Sequence, residues 1–309
     1  MASMPIVVGA DGSEQSSCAV EWAAREAVRR KAPLRIVAVS VMPSRMRPRN
    51  ANPATVADIL HKISARTLAA ALTRARDIAP GLLIDADLVS GAPAQTLTAC
   101  ATGASMLVVG ARGAGGFTAM VLGSVSRYVA MHAFCPVVVA HEDSMAVHRE
   151  VVVGVGDPAD AAESLGFAFE EASMRGARLL AVHALGRYPA SSGWDTEDLK
   201  LAGWLHAAPS LDDAGDAADP PDESAAAAEL AQVLDGWRDK YPEVSVGHEV
   251  VRGHPGRVLA SYSARADLVV IGRHDDSAGI AAGIAGVGSI QHPVLNHAHG
   301  PIAIIPSTH

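Results

Sequence analysis

Short apolar runs alternate along this chain with longer stretches whose apolar residues recur every three or four positions. That is the pattern of buried strands and amphipathic helices. It predicts strands near 5–9, 34–41, 83–89, 105–110 and 136–140, and helices near 14–30, 54–78, 92–103 and 123–133. Ser13 or Ser16 is placed to cap the first helix, and Pro53 or Thr55 to start the second. Strands alternating with helices make βαβ units, hence a parallel sheet covered on both faces.

The pattern then returns, with strands near 150–155, 178–185, 245–251, 267–271 and 301–305. Gly9 falls on Gly154 and Ala32 on Ala177, a spacing of 145 residues. "SGAPAQTL" (90–97) falls on "RGHPGRVL" (252–259), and Gly110 on Gly272, at a spacing of 162. Gly123-Ser124 and Pro136 fall on Gly288-Ser289 and Pro301, at 165. The chain is two copies of one unit, 1–143 and 149–309, with 141–151 as the linker. The second copy carries 17 extra residues midway and 3 more in its glycine loop. The longer insertion falls around Ser210–Leu230, whose acidic first half reads as a surface loop before an alanine-rich helix.

Composition narrows this picture. At 309 residues the chain suits about two domains. With 49% hydrophobic but 4% aromatic residues, the cores must be built from Ala, Val, Leu and Ile. A net charge of −8 argues against nucleic acid or an acidic membrane as partner. Cys18, Cys100 and Cys135 form no C-x-x-C pair and read as reduced thiols. No apolar run approaches the roughly 18 residues that span a bilayer, and "MASMPIVVGADGS" has no basic leader. A soluble, cytoplasmic protein is expected.

The candidate chemistry lies in "VVGARGAGGFTAMVLGSVSRYV" (108–129). In an open parallel sheet, ligands bind beyond the carboxyl ends of the strands where the strand order reverses. Gly110 at a strand tip would let a ligand approach the backbone. Gly113, Gly115 and Gly116 would let the loop turn amides inward as an anion nest. Gly123-Ser124 opens a helix whose unpaired N–H groups favour phosphate, with Ser124 and Ser126 as hydroxyl donors. This makes an anion site without lysine. Neither GxxxxGK[ST] nor a GxGxxG after the first strand is present, and glycines serving only as turns remain the alternative.

Gly110-x2-Gly113-x9-Gly123-Ser124 resembles the ATP-binding signature of the universal stress protein family. "VVGADGS" (7–13), "GAPAQTL" (91–97) and "CPVVVA" (135–140) resemble it too, so the chain looks like a tandem-domain, actinobacterial-type member. The resemblance implies two doubly wound, Rossmann-like five-stranded parallel sheets of order 3-2-1-4-5, with ATP at the tips of strands one and four. It places Asp11 and Gly12 beside the ligand and Val39 along the adenine. Gly110, Gly113, Gly123 and Ser124 would cradle ribose and phosphates, with Val125 beside them. Asp11 would accept ribose or adenine donors or hold Mg2+, or else make an Asx turn or helix cap. Arg112 would pair with phosphate or be solvated. AMP and cyclic AMP are alternative ligands. The copies are expected to pair as an intramolecular pseudo-dimer through their last strands, with whole-chain homodimers and a protein partner open.

The second copy departs from the signature in "VIGRHDDSAGIAAGIAGVGSI" (270–290). Gly272, Gly288 and Ser289 remain, but Asp275 replaces the second glycine. A carboxylate there would repel phosphate, and a Cβ disfavours a left-handed turn. Gly156 stands at the Asp11 position with Asp157 following, and Ala184 stands where Val39 does. This degenerate site is expected to bind ATP weakly or not at all. No metal set is read from His292, His297 and His299, and no GxSxG nucleophile elbow is present. Trp194, Trp204 and Trp237 read as packing, and His183 as a strand-tip histidine near the second cleft. The function expected is an ATP-binding stress or growth regulator without assigned catalytic residues. A slow ATP hydrolase of the adenine-nucleotide α-hydrolase-like fold and a nucleotide-free interaction module are the alternatives.

Overall fold

β-Branched residues pack well on both faces of a pleated sheet, and they fill the innermost strands of this chain. A computed structural model describes residues 3–41, 53–113, 122–141, 147–157, 160–185, 222–273 and 291–307. In the first half the elements run β1 (Ile6–Ala10), α1 (Glu14–Arg30), β2 (Leu34–Ser40), α2 (Pro53–Ile78) and β3 (Ile84–Ser90). They continue through α3 (Pro93–Cys100), β4 (Met106–Gly110), α4 (Ser124–His132) and β5 (Val137–Ala140). The second half repeats them as β6 (Glu150–Gly154), α5 (Ala162–Arg175), β7 (Arg178–Leu185), α6 (Glu223–Lys240) and β8 (Val246–Arg252). It ends in α7 (Pro255–Tyr262), β9 (Leu268–Arg273), α8 (Gln291–His297) and β10 (Ile302–Pro306).

Each half has the strand order 3-2-1-4-5, but the two are not separate parallel sheets. They form one ten-stranded sheet of order β3-β2-β1-β4-β5-β10-β9-β6-β7-β8. Its mixed character comes from one antiparallel pairing, Val137 opposite Ile304 through Val139 opposite Ile302. Both fifth strands are apolar edges, and each satisfies the other's unpaired backbone groups.

Period-two alternation sorts the side chains onto two faces. Ile6, Val8, Leu34 and Ile36 join Leu165, Phe169, Leu230 and Leu234 under α1, α2, α5 and α6. Val7, Val37, Leu107 and Val109 join Leu97, Val129, Leu259 and Leu295 under α3, α4, α7 and α8. Both apolar layers run unbroken across the junction through β5 and β10.

The halves also meet through α1 and α5. Glu26 and Arg30 recur at Glu171 and Arg175, and each arginine bridges both carboxylates. Arg30 Nε donates to Glu26 at 2.8 Å and Arg175 donates to Glu26 at 2.9 Å. Trp22 recurs at Phe167, so Arg30 stacks over Phe167 at 5.2 Å and Arg175 over Trp22 at 5.8 Å. Both glutamates are fully buried. Burial pushes Glu26 up, but the guanidiniums of Arg175, Arg29 and Arg30 outweigh it and hold the carboxyl below its ordinary range. Burial likewise pulls Arg175 down to about 10.

The starts of α1 and α5 differ. Ser13, not Ser16, caps α1, its hydroxyl accepting from the Ser16 N–H. Pro158 stands at the corresponding place in the second half, and a proline side chain has no oxygen to cap with. There α5 begins at Ala162, about one turn late, with no side-chain cap.

Candidate functional site at the carboxyl ends of the strands

β1 lies between β2 and β4, so the strand order reverses at the paired tips of β1 and β4. Beyond β1, Asp11 Oδ1 accepts from the Ser13 N–H at 2.9 Å, so the Asx-turn reading of Asp11 is realised. Its other oxygen faces the loop after β4, where a Cβ on Gly113 would lie 2.6 Å from Asp11 Oδ2. The Ser13 hydroxyl donates to the Arg112 carbonyl at 3.4 Å. The turn after β1 and the loop after β4 thus close on each other. Gly12 is left-handed at φ +86°, and its α-carbon faces Thr67 on α2.

The glycines act differently from the sequence expectation. Gly110 does not leave its open side to a ligand. A Cβ there would lie 2.6 Å from the Gln15 carbonyl carbon, so the residue is small because α1 packs against it. Gly113 is not left-handed, and its open side faces the end of the Asp11 side chain. Ser126 is buried and donates to the Gly110 carbonyl at 2.6 Å, which removes it from the ligand donors. Gly123 donates to the Ala111 carbonyl at 2.7 Å and heads α4. It supplies no side-chain cap, so the first amides of α4 have no acceptor within the helix.

Ser124 is exposed at the first position of α4, and Arg112 is exposed on the loop. Val39 and Val125 are half-buried against the same apolar layer. His141, just past β5, is held below its ordinary pKa by burial, with the nearby Arg112 charge adding to the effect. Asp11, Gly12, Gly110, Arg112, Gly113, Gly123 and Ser124 therefore share one region. Gly115 and Gly116 lie outside the described residues. Beside this region a cavity of about 680 Å³ opens between the tips of β2 and β3 and the starts of α2 and α3, lined by Val41, Asp58, His61 and Gly91 among others. Of these, only Gly91, in "GAPAQTL", belongs to a segment the sequence singled out. Thr67 was not singled out either, as it lies far along the chain from Gly12 with no motif around it.

In the second half a cavity of about 140 Å³ lies at the tips of β6, β7 and β9. Asp157, Gly272 and Ala184 line it, and so do Asp160 and Gln291, which sequence reasoning missed. Gln291 Nε2 donates to the Gly272 carbonyl at 3.1 Å, doing there what Ser126 does at Gly110. Asp275, Gly288 and Ser289 lie outside the described residues. His183 Nδ1 lies 2.8 Å from the Val155 carbonyl. Trp237 stacks on Phe169 at 5.6 Å, a packing role, while Trp194 and Trp204 lie outside the described residues, as does the His292 side chain. Among the described residues no three His, Cys, Asp or Glu are grouped to hold a metal.

The sequence pattern of the universal stress protein family matches residues 3–141 and again residues 148–306. The chain belongs to the universal stress protein family. Universal stress protein Rv2005c of Mycobacterium tuberculosis is 32% identical over 308 residues, 97% of this chain and 96% of that protein. Universal stress protein Rv2623 of the same organism is 32% identical over 319 residues, covering 98% and 96%. A crystal structure of a universal stress protein from Archaeoglobus fulgidus shares the fold, with a TM-score of 0.66 at 18% identity. It covers 99% of this chain and 97% of that one. Among the described residues of this universal stress protein no helix is long and apolar enough to cross a membrane.

Proposed function

We propose that the first half binds ATP at the tips of β1 and β4 and that the protein acts as a nucleotide-dependent regulator in a stress or growth response. The observation that carries this reading is the uncapped start of α4, set at the switch point beside Gly113 and Ser124. The amides of its first turn and the helix dipole favour phosphate without a lysine. Val39 offers an apolar wall to the adenine, and Val125 packs on the same apolar layer beside the start of α4. Mg2+ would neutralise phosphate charge, and Asp11 is the exposed carboxylate placed to hold it. ATP seated here would tie the turn after β1 to the loop after β4 and so alter the surface offered to a protein partner.

Calorimetric titration of the full chain with Mg-ATP tests this. Gly113→Asp, which installs a carboxylate as Asp275 does in the second half, is expected to weaken ATP at least about tenfold through charge repulsion. Equal affinity in the variant would overturn the assignment.

A further inference from the structure

The second cleft has a chemistry of its own, and it follows from the late start of α5. In the first half the capped turn of α1 brings the Gln15 backbone against Gly110. In the second half α5 starts about one turn later, and among the described residues the nearest atom to a Cβ on Gly272 would be Ser164 Oγ at 4.0 Å. The space released is the cavity under Gly272.

Its apolar wall is inherited. Val182, Ala184, Pro255 and Leu259 stand where Val37, Val39, Pro93 and Leu97 stand in the first half, and Ala184 is smaller than the valine it replaces. Its mouth carries two carboxylates where the first cleft carries one, Asp11, whose counterpart is Gly156. Asp157 and Asp160, both exposed at the mouth, replace Gly12 and Gln15. Inside, Gln291 is only 2% exposed. Its Nε2 is used on Gly272, but its Oε1 has no hydrogen-bond partner among the described residues. A buried acceptor without a donor is costly, and a bound donor accounts for it.

We propose that the second cleft binds a nucleoside lacking phosphate, with ligand hydroxyl or amino donors on Gln291 Oε1 and on the carboxylates of Asp157 and Asp160. The inherited wall suits a base and sugar, while two carboxylates at the mouth repel phosphate. The choice of nucleoside rests on the reading of the first cleft as a nucleotide site.

Native mass spectrometry and calorimetry of the full chain, with adenosine as probe and ATP present in excess, test it. One adenosine per chain is expected beside ATP. Gln291→Ser keeps a hydroxyl for the Gly272 carbonyl but removes the free acceptor, and should weaken adenosine at least about tenfold without affecting ATP. Two ATP on the unaltered chain, no adenosine beside ATP, or adenosine binding indifferent to Gln291→Ser would each overturn the proposal. Should ATP not bind at all, adenosine alone still decides. Loss in Gln291→Ser but not in Gly113→Asp upholds the second site, and the reverse overturns it.

Discussion

Arg175 donates to Glu26 at 2.9 Å, joining the two halves across 149 residues of chain. The bond is one edge of a buried square whose other corners are Arg30 and Glu171. Buried ion pairs add little over well-packed apolar groups, yet removing one partner strands a charge. Glu26→Ala should therefore destabilise the chain by about 3–5 kcal/mol in denaturant unfolding. Replacing all four residues by Leu and Met should cost far less than the sum of the single changes. Additive losses would show that the four do not act as a unit.

The same square sets an acid limit. Glu26 titrates below the ordinary glutamate value of 4.5 when folded, so folding favours its charged form. Its contribution is complete above that pH and is lost as pH falls from about 4.5 through the lower folded value. Stability of the unaltered protein should drop steeply on acidification below 4.5, and Glu26→Gln should flatten that slope. Parallel slopes would remove Glu26 as a cause.

One substitution should behave oppositely in the two halves. Gly110→Ala drives a methyl against the Gln15 backbone, 2.6 Å away, and should cost about 1–3 kcal/mol. Among the described residues Gly272→Ala meets only Ser164 Oγ at 4.0 Å, and it should leave the melting temperature within about a degree. Equal losses would mean that the late start of α5 does not open the second cleft.

Cysteine reactivity separates the three thiols. Cys135 is buried, and burial pushes its thiol up to about 11. In native protein near neutral pH it should resist alkylation until the chain unfolds, while the half-buried Cys18 and Cys100 react sooner. Early labelling at Cys135, located by peptide mapping, would contradict this packing.

Strand and helix positions, the repeat and the strand order in each half are legible in the sequence because they follow from periodicity and fixed spacings. The joined sheet is half-legible: the apolar "CPVVVA" and "GPIAIIP" announce edges in need of a partner, but no residue pattern states that they pair antiparallel. Gly110 and Gly113 were visible as glycines, but not what their open sides face. Those are Gln15 and Asp11, neighbours only after folding. Gln291 escaped notice because its counterpart is a serine. Only the shared bond to a strand-tip carbonyl identifies the two as equivalent.

Hydrogen–deuterium exchange with and without Mg-ATP tests the central claim, that nucleotide sits at the first switch point. The account predicts slower exchange in residues 11–13, 110–113 and 123–126, with 154–157 and 272–273 unchanged. Protection confined to the second set, or none at either, would contradict it.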